Sequence, residues 1–207
     1  MCDQFSIFGH MEVVMAKGFS DKEKDGIKSN LISVCKQSWT QLGYKKTSID
    51  DLCKAVGISK GAFYIFFDSK EALFCDVLCD EQDKIYTIAL DAIEKNPNRT
   101  GVANAIKLVY REYSDNNFLY NSSSSDYINF TNKLSFEQLS KIQSSSERCN
   151  RLFISHPKLK LKTSPEMALS VIYALIMNVK VKEFFPCDHV EVFDYMIAQL
   201  INAIYEE

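Results

Sequence analysis

The stretch that decides the fold runs from residue 47 to residue 74: Thr47-Ser-Ile-Asp-Asp-Leu-Cys-Lys-Ala-Val-Gly-Ile-Ser-Lys-Gly-Ala-Phe-Tyr-Ile-Phe-Phe-Asp-Ser-Lys-Glu-Ala-Leu-Phe74. Gly57 and Gly61 cut it into short apolar clusters, and a residue that favours a helix N-terminus precedes each cluster. Ser48 and Asp51 have the spacing of a capping box. Gly57 stands where a helix C-terminus requires a positive φ angle. The stretch therefore predicts two short helices joined by a tight turn.

Two short helices at this spacing are typical of a helix-turn-helix motif. Ser59 is the predicted N-cap of the second helix, which would then begin at Lys60. In such a motif the second helix lies in the major groove and contacts base edges through its N-terminal residues. The pattern predicts that the chain binds a double-stranded DNA operator.

The segment from Ile27 to Leu73 resembles the DNA-binding domain of the TetR family of transcriptional repressors, and the order and spacing of the family's pattern hold throughout it. The chain departs from the pattern at Ile65 and Phe66, where the family often has His and Tyr, so two polar groups are lost. The matching residues are Ile27, Trp39, Gly43, Thr47, Ser48, Asp51, Leu52, Gly57, Ser59, Lys60, Gly61, Phe63, Tyr64, Phe67, Ser69, Lys70, Glu71 and Leu73.

The resemblance implies a set of DNA contacts in and around the second helix of the motif. Lys60 would reach a guanine edge or a phosphate, and Ala62 would contact a thymine methyl group. Hydroxyl groups, a helix N-terminus and ammonium groups nearby would bind phosphates. For Lys45 and Lys46 a solvated surface charge is an equally good interpretation. The predicted DNA-binding residues are Thr47, Ser48, Ser59, Lys60, Gly61, Ala62, Tyr64, Lys70, Lys45 and Lys46.

The formal net charge of −3 is unevenly distributed along the chain. Residues 17–70 hold ten Lys and six Asp or Glu side chains, a net charge of +4, whereas the remaining residues have a net charge of −7. A basic segment joined to an acidic one suits a protein that contacts DNA with one end only.

The rest of the chain also has the periodicity of helices, with no alternation typical of strands. The fold class predicted is all-α: an N-terminal three-helix helix-turn-helix domain and a C-terminal helical domain for ligand binding and dimerisation. About nine helices are predicted, at residues 21–42, 48–55, 59–65, 69–94, 100–118, 125–132, 134–154, 165–184 and 188–205.

Three segments are predicted. Residues 1–16 form an N-terminal extension that is disordered or of cloning origin, residues 17–68 the DNA-binding domain, and residues 69–207 the ligand-binding and dimerisation domain. Residues 1–14 lack the basic start and long apolar core of a signal peptide. No run approaches the roughly 18 apolar residues of a membrane span. The seven Cys residues are scattered, so we expect a cytoplasmic protein without membrane contact.

The last two helices have more apolar surface than one neighbouring helix would cover. The resemblance implies that they pair with their copies in a second subunit to form a four-helix bundle and a homodimer, although two internal core helices would show the same pattern. The predicted dimerisation residues are Leu175, Val179, Phe193, Met196, Ile197, Leu200 and Ile204.

The resemblance also implies a small-molecule effector, of unknown identity, inside the C-terminal domain. Aromatic and polar residues are mixed on its helices, which suits an apolar or aromatic ligand, but an aromatic set at helical spacing is more often simply core. The predicted ligand-binding residues are Tyr86, Tyr110, Arg111, Phe118, Tyr127, Phe130, Tyr173 and Asn178.

The sequence allows three other interpretations. Residues 57–61 match the G-x-S-x-G pattern of hydrolases, but that pattern requires a preceding strand, and the residues here have helical periodicity. Cys75 and Cys79 share one helical face and could begin a metal or redox site. No further Cys or His completes such a site nearby in the sequence, which favours core packing. We therefore expect no catalytic residues, no enzyme activity, no metal and no cofactor. A helical binding or interaction module that does not contact DNA remains the main alternative.

Overall fold

The computed structural model describes residues 19–116, 118, 121 and 124–206. Within them the regular structure is helical, which confirms the all-α fold class, and the predicted extension of residues 1–16 lies outside them. The helices are α1 (Asp21–Lys46), α2 (Ile49–Val56), α3 (Lys60–Phe66), α4 (Lys70–Lys95), α5 (Arg99–Asp115), α6 (Ser125–Thr131), α7 (Phe136–Ile154), α8 (Pro165–Met177), a 3₁₀ helix (Asn178–Phe184) and α9 (His189–Ile204).

The first helix is broken at Gly43. Its backbone has φ 83° and ψ 171°, a conformation that is almost restricted to glycine, and the final turn to Lys46 continues beyond it. The sequence predicted that the helix would end here. Packing also requires a glycine here, because a Cβ atom at Gly43 would lie 2.8 Å from Oδ2 of Asp126 on α6.

Side-chain caps define the two short helices. The Ser48 hydroxyl accepts a hydrogen bond from the backbone N–H of Asp51 at 3.1 Å, and the Ser59 hydroxyl accepts one from that of Ala62 at 3.1 Å. Gly57 ends α2 in the left-handed region, at φ 79°. The Asp51 carboxylate accepts from the Ser48 hydroxyl rather than from its backbone N–H, so only half of the capping box forms.

The helix α4 connects two hydrophobic cores. Its N-terminal half, with Leu73 and Phe74, packs into a core shared with α1, α2 and α3. Its C-terminal half, with Ile85 and Ile93, packs into a second core with α5, α7, α8 and α9. We call α1 to α3 the N-terminal unit and α4 to α9 the C-terminal unit. Because one continuous helix enters both cores, a movement of α4 reaches both units.

The segment from residue 165 to 184 was predicted as a single α-helix, and this was wrong in its second half. α8 ends at Met177, and residues 178–184 continue as a 3₁₀ helix. The Asn178 side chain donates to the carbonyl of Ala174 at 3.2 Å. An Asn side chain that binds the backbone competes with the regular helical hydrogen bonds, which explains the change at this residue. Of the described helices, none is long and apolar enough to cross a membrane.

Candidate nucleic-acid interface and effector cavity

The helix α3 has one buried face and one exposed face. Phe63 and Phe67 are buried in the core of the N-terminal unit, whereas the side chains of Tyr64 and Ile65 are 49% and 61% exposed. Gly61 is also exposed, and a Cβ atom there would make only an ordinary contact, 3.8 Å from the Ser59 hydroxyl. The packing of the chain itself therefore does not require a glycine at this position.

Lys60 lies at the N-terminus of α3, next to an acidic residue of α2. Its ammonium group is 3.0 Å from Oδ2 of Asp50, and both side chains are mostly exposed. The hydrogen bond to Asp50 raises the pKa of Lys60. An exposed ion pair contributes little to stability, so Lys60 can exchange this carboxylate for another anion at little cost. Lys45 and Lys46, at the end of α1, are exposed as well.

Two residues of the predicted DNA-binding set point inward. Thr47 is only 3% exposed, and its hydroxyl donates to the carbonyl of Gly43 at 2.8 Å, so it closes the last turn of α1. Lys70 donates to the carbonyl of Tyr44 and lies over the Tyr44 ring at 4.1 Å. Burial lowers the pKa of Lys70. Sequence reasoning could not separate these residues from surface groups, because their partners come from another helix or from the Gly43 break.

Tyr44 is the centre of the junction between the two units. Its backbone N–H donates to Oδ2 of Asp126 at 2.5 Å, and the N–H of Lys45 donates to Oδ1 of Asp126 at 2.9 Å. The Tyr44 hydroxyl donates to the Glu71 carboxylate of α4. One carboxylate of α6 therefore holds the end of α1, beside the exposed Lys45 and Lys46.

Three residues of the predicted ligand set belong to this junction instead. Phe118 stacks on Trp39 with ring centroids 4.5 Å apart, and Phe130 meets the same ring edge-on at 5.1 Å. Tyr127 contacts Phe130 at 5.9 Å. Aromatic packing against α1, which is distant in sequence, explains their placement. The spacing of these residues along their own segment does not predict that contact.

The other members of the predicted ligand set are dispersed. Tyr110 is fully buried against Phe193, with ring centroids 3.8 Å apart, and so belongs to the core. Arg111 forms a surface ion pair with Asp194 at 3.3 Å. The ring of Tyr86 lies against the guanidinium group of Arg148. The side chain of Asn178 binds the backbone at the end of α8. Arg111 also lines an open surface pocket between α4 and α5, whereas Tyr173 lines a narrower cavity of the C-terminal unit.

That cavity lies between α4, α5, α7 and α8 and has a volume of about 60 Å³. Its apolar wall includes Ile85, Val109, Phe153 and Ile172, and its polar side chains include Gln82, Ser146, Asn150 and Tyr173. Sequence analysis predicted Tyr173 but missed Gln82 of α4, and it missed Ser146 and Asn150 because the Ser-rich part of α7 has weak helical periodicity. The available signal was that Ser146 and Asn150 are four residues apart and so share one face of α7.

Most of the predicted dimerisation residues are covered by their own chain. Leu175, Val179, Phe193, Ile197 and Ile204 are buried in the core of the C-terminal unit, Met196 is half-buried, and only Leu200 is exposed. The two helices are apolar as predicted, but most of the predicted residues face the core of their own chain. The large apolar side chains that α8, the 3₁₀ helix and α9 leave exposed are Met167, Tyr173, Val181, Phe184, Tyr195 and Leu200.

Comparison with known proteins identifies the N-terminal part of the chain. Residues 31–77 match the model of bacterial regulatory proteins of the tetR family. The HTH-type transcriptional regulator YuxN of Bacillus subtilis (strain 168), itself uncharacterised, is 37% identical over 90 residues, which are 43% of this chain and 30% of YuxN. The aligned region is thus about a third of that relative's length.

Solved structures share the whole fold at low identity. The transcriptional regulator FadR from Bacillus subtilis, in complex with stearoyl-CoA, superposes with a TM-score of 0.65 at 15% identity, over 85% of this chain and 98% of FadR. The superantigen PfiT superposes with a TM-score of 0.64 at 10% identity, over 88% and 98% of the two chains. These likenesses concern the fold alone, and the sequence match to the model of bacterial regulatory proteins of the tetR family covers residues 31–77 of this chain.

Proposed function

We propose that this chain is a sequence-specific DNA-binding transcriptional regulator of the cytoplasm, a ligand-responsive repressor that binds a palindromic operator as a homodimer and catalyses no reaction. One observation supports this most strongly. The exposed face of α3, from Lys60 to Tyr64, is held from behind by the buried Phe63 and at its start by the Ser59 cap. A short, rigid and exposed helix of this kind fits the major groove.

The surroundings of α3 supply groups that suit phosphates. The N-terminus of α2, capped by Ser48, carries the partial positive charge of a helix end. The exposed Lys45 and Lys46 lie just before it. We therefore propose that Lys45, Lys46 and the start of α2 bind the DNA backbone, and that Lys60, Gly61, Ala62 and Tyr64 contact bases. Thr47, after the end of α1, and Lys70, at the start of α4, position these groups.

A second subunit would cover the exposed apolar side chains of α8 and α9. Met167 and Val181 lie on the segment of α8 and the 3₁₀ helix, and Tyr195 and Leu200 lie on α9. A two-fold interface of these helices would repeat each contact across the axis. Two identical α3 helices related by that axis would select two inverted half-sites, which is why we propose a palindromic operator.

Neighbouring residues of α4 provide a route from the cavity to DNA. Gln82 lines the cavity, and the adjacent Glu81 is buried and forms an ion pair with Lys36 of α1 at 2.5 Å. An effector that displaces this turn of α4 would also displace α1. The effector must bind the DNA-free and DNA-bound shapes with different affinity, because otherwise it would shift neither population.

The proposal is tested by replacing Tyr64 on the exposed face. We expect Tyr64→Ala to weaken binding to the operator duplex by about 10- to 100-fold, as for the loss of one specific contact, while the melting temperature stays unchanged. Fluorescence-anisotropy titration measures the affinity. Phe136→Ala is the matched control, because Phe136 is an exposed aromatic residue, 87% exposed, on α7. Equal operator affinity for both variants would contradict the proposal.

The alternative is a helical binding module that does not contact DNA. The superantigen PfiT, which shares this fold, is the observation that favours it. The two functions differ in their response to salt. A regulator that neutralises phosphates loses affinity for duplex DNA steeply as salt concentration rises, since counterions are released on binding. A module without a DNA-binding function would show no retention on duplex DNA even at low salt.

A further inference from the structure

We propose that the effector is a small, uncharged and largely apolar molecule with one hydrogen-bond donor, and that the Oε1 atom of Gln82 accepts that hydrogen bond. This inference rests on the proposed function, because it takes the cavity between α4, α5, α7 and α8 as the effector site. It goes further by assigning a chemical class to the effector and a recognition role to one residue.

The lining of the cavity excludes a charged ligand. In the described part of the chain, no Asp, Glu, Lys, Arg or His side chain lines it. Cys149 lies on its wall, but burial raises the pKa of that thiol to about 11, so it is neutral at physiological pH. Burial likewise raises the pKa of Tyr113. An ionised ligand would lose its hydration here without gaining a partner of opposite charge, which is strongly unfavourable.

The amide of Gln82 is satisfied on one side only. Its Nε2 atom donates to the hydroxyl of Ser146 at 2.8 Å. Its Oε1 atom is fully buried and has no hydrogen-bond partner among the described residues. A buried acceptor without a partner is costly, so a ligand that brings a hydroxyl or N–H group to this atom gains more than a ligand of the same shape without one.

The neighbouring polar side chains, Tyr173 and Asn150, are hydrogen-bonded to each other and therefore do not require a second polar group on the ligand. The hydroxyl of Tyr173 donates to Oδ1 of Asn150 at 2.6 Å, and both residues line the cavity. Tyr173 is 42% exposed and so stands at the outer side of the cavity. A volume of about 60 Å³ is less than a six-membered ring needs, since a 150 Å³ cavity is known to hold benzene. A ring-sized ligand must therefore push Tyr173 and α8 outward.

The test uses four six-membered-ring probes of similar size. Cyclohexanol carries a hydroxyl donor, cyclohexanone only an acceptor, methylcyclohexane neither, and cyclohexanecarboxylate a negative charge. Isothermal titration of the purified protein, without DNA, measures each affinity. We expect cyclohexanol to bind about tenfold more tightly than the ketone and the hydrocarbon, and the carboxylate not to bind.

Variants assign the preference to Gln82. Gln82→Leu should reduce the affinity for cyclohexanol about tenfold, to that of methylcyclohexane, and leave methylcyclohexane unchanged. Gln143→Leu, at an exposed position of the same type on α7, should behave as the unmodified protein. Retention of methylcyclohexane binding by Gln82→Leu shows that this variant is folded.

The outcomes separate this inference from the proposed function. Preference for the ketone or the carboxylate, no binding of any probe, or an unchanged preference in Gln82→Leu would each overturn the inference while leaving operator binding intact. Alcohol-selective binding by a protein that fails to bind any DNA would instead support the inference and overturn the proposed function.

Discussion

The N-terminal unit and the C-terminal unit differ in how completely their polar groups are paired. In α1 to α3, caps and internal hydrogen bonds satisfy the side chains that are buried, including Thr47. The three buried side-chain atoms without a partner, among the described residues, all lie in the C-terminal unit, on Glu81, Gln82 and Asp194. The comparison indicates a rigid unit that presents α3 and a second unit in which a ligand can still gain hydrogen bonds.

The largest expected effect comes from the junction that joins the two units. We expect Gly43→Ala to reduce the free energy of unfolding by roughly 2–4 kcal/mol, because alanine is strained at this backbone conformation and its Cβ atom would displace the Asp126 carboxylate. Urea denaturation measures the change.

The control is another glycine of the same helix. A Cβ atom at Gly26 would meet no atom within 4 Å. Gly26→Ala should therefore stabilise α1 by about 0.5–1 kcal/mol. If the two variants had equal stability, Gly43 would not be a strained position and the junction would be looser than described.

A smaller effect is expected from the carboxylate alone. Asp126→Ala leaves the backbone N–H groups of Tyr44 and Lys45 without their acceptor, which should cost about 1–3 kcal/mol of stability. Because the backbone of Lys45 is held by this contact, operator affinity should fall as well. Thermal melting and anisotropy titration are the two measurements.

Asp25→Ala is the matched control, since Asp25 is an exposed carboxylate of α1 far from the junction. If Asp126→Ala lowered the stability and kept full operator affinity, α6 would stabilise the fold without positioning the DNA-binding groups, and the two units would be less coupled than we propose.

The extent of prediction from sequence differs between the units for a physical reason. Helix caps and the left-handed Gly57 are local, so α2 and α3 were predicted to within about one residue. The polar side of the cavity joins Gln82 of α4 to Ser146 of α7, and the inward position of Thr47 depends on the break at Gly43. Such contacts depend on packing over long sequence distances, which periodicity does not reveal.

The smallest effects separate the inward from the outward residues of the DNA-binding set. Thr47→Val should cost about 0.5–1.5 kcal/mol of stability through its lost hydrogen bond to Gly43 and leave the salt dependence of DNA binding unchanged. Lys45→Ala should leave the stability unchanged and reduce the slope of log affinity against log salt concentration by about one. Titrations at several salt concentrations measure both. The reverse pattern would make Thr47, and not Lys45, the phosphate contact.

Selection of bound sequences from a random duplex pool, with the purified protein at moderate salt, tests the central claim most directly. A dimer that presents two α3 helices predicts an enriched palindrome whose half-sites are about 10 base pairs apart, centre to centre, or a multiple of this. The same selection with Tyr64→Ala should lose the enrichment. A pool that remains random, or a consensus without two-fold symmetry, would contradict the account of a dimeric operator-binding repressor.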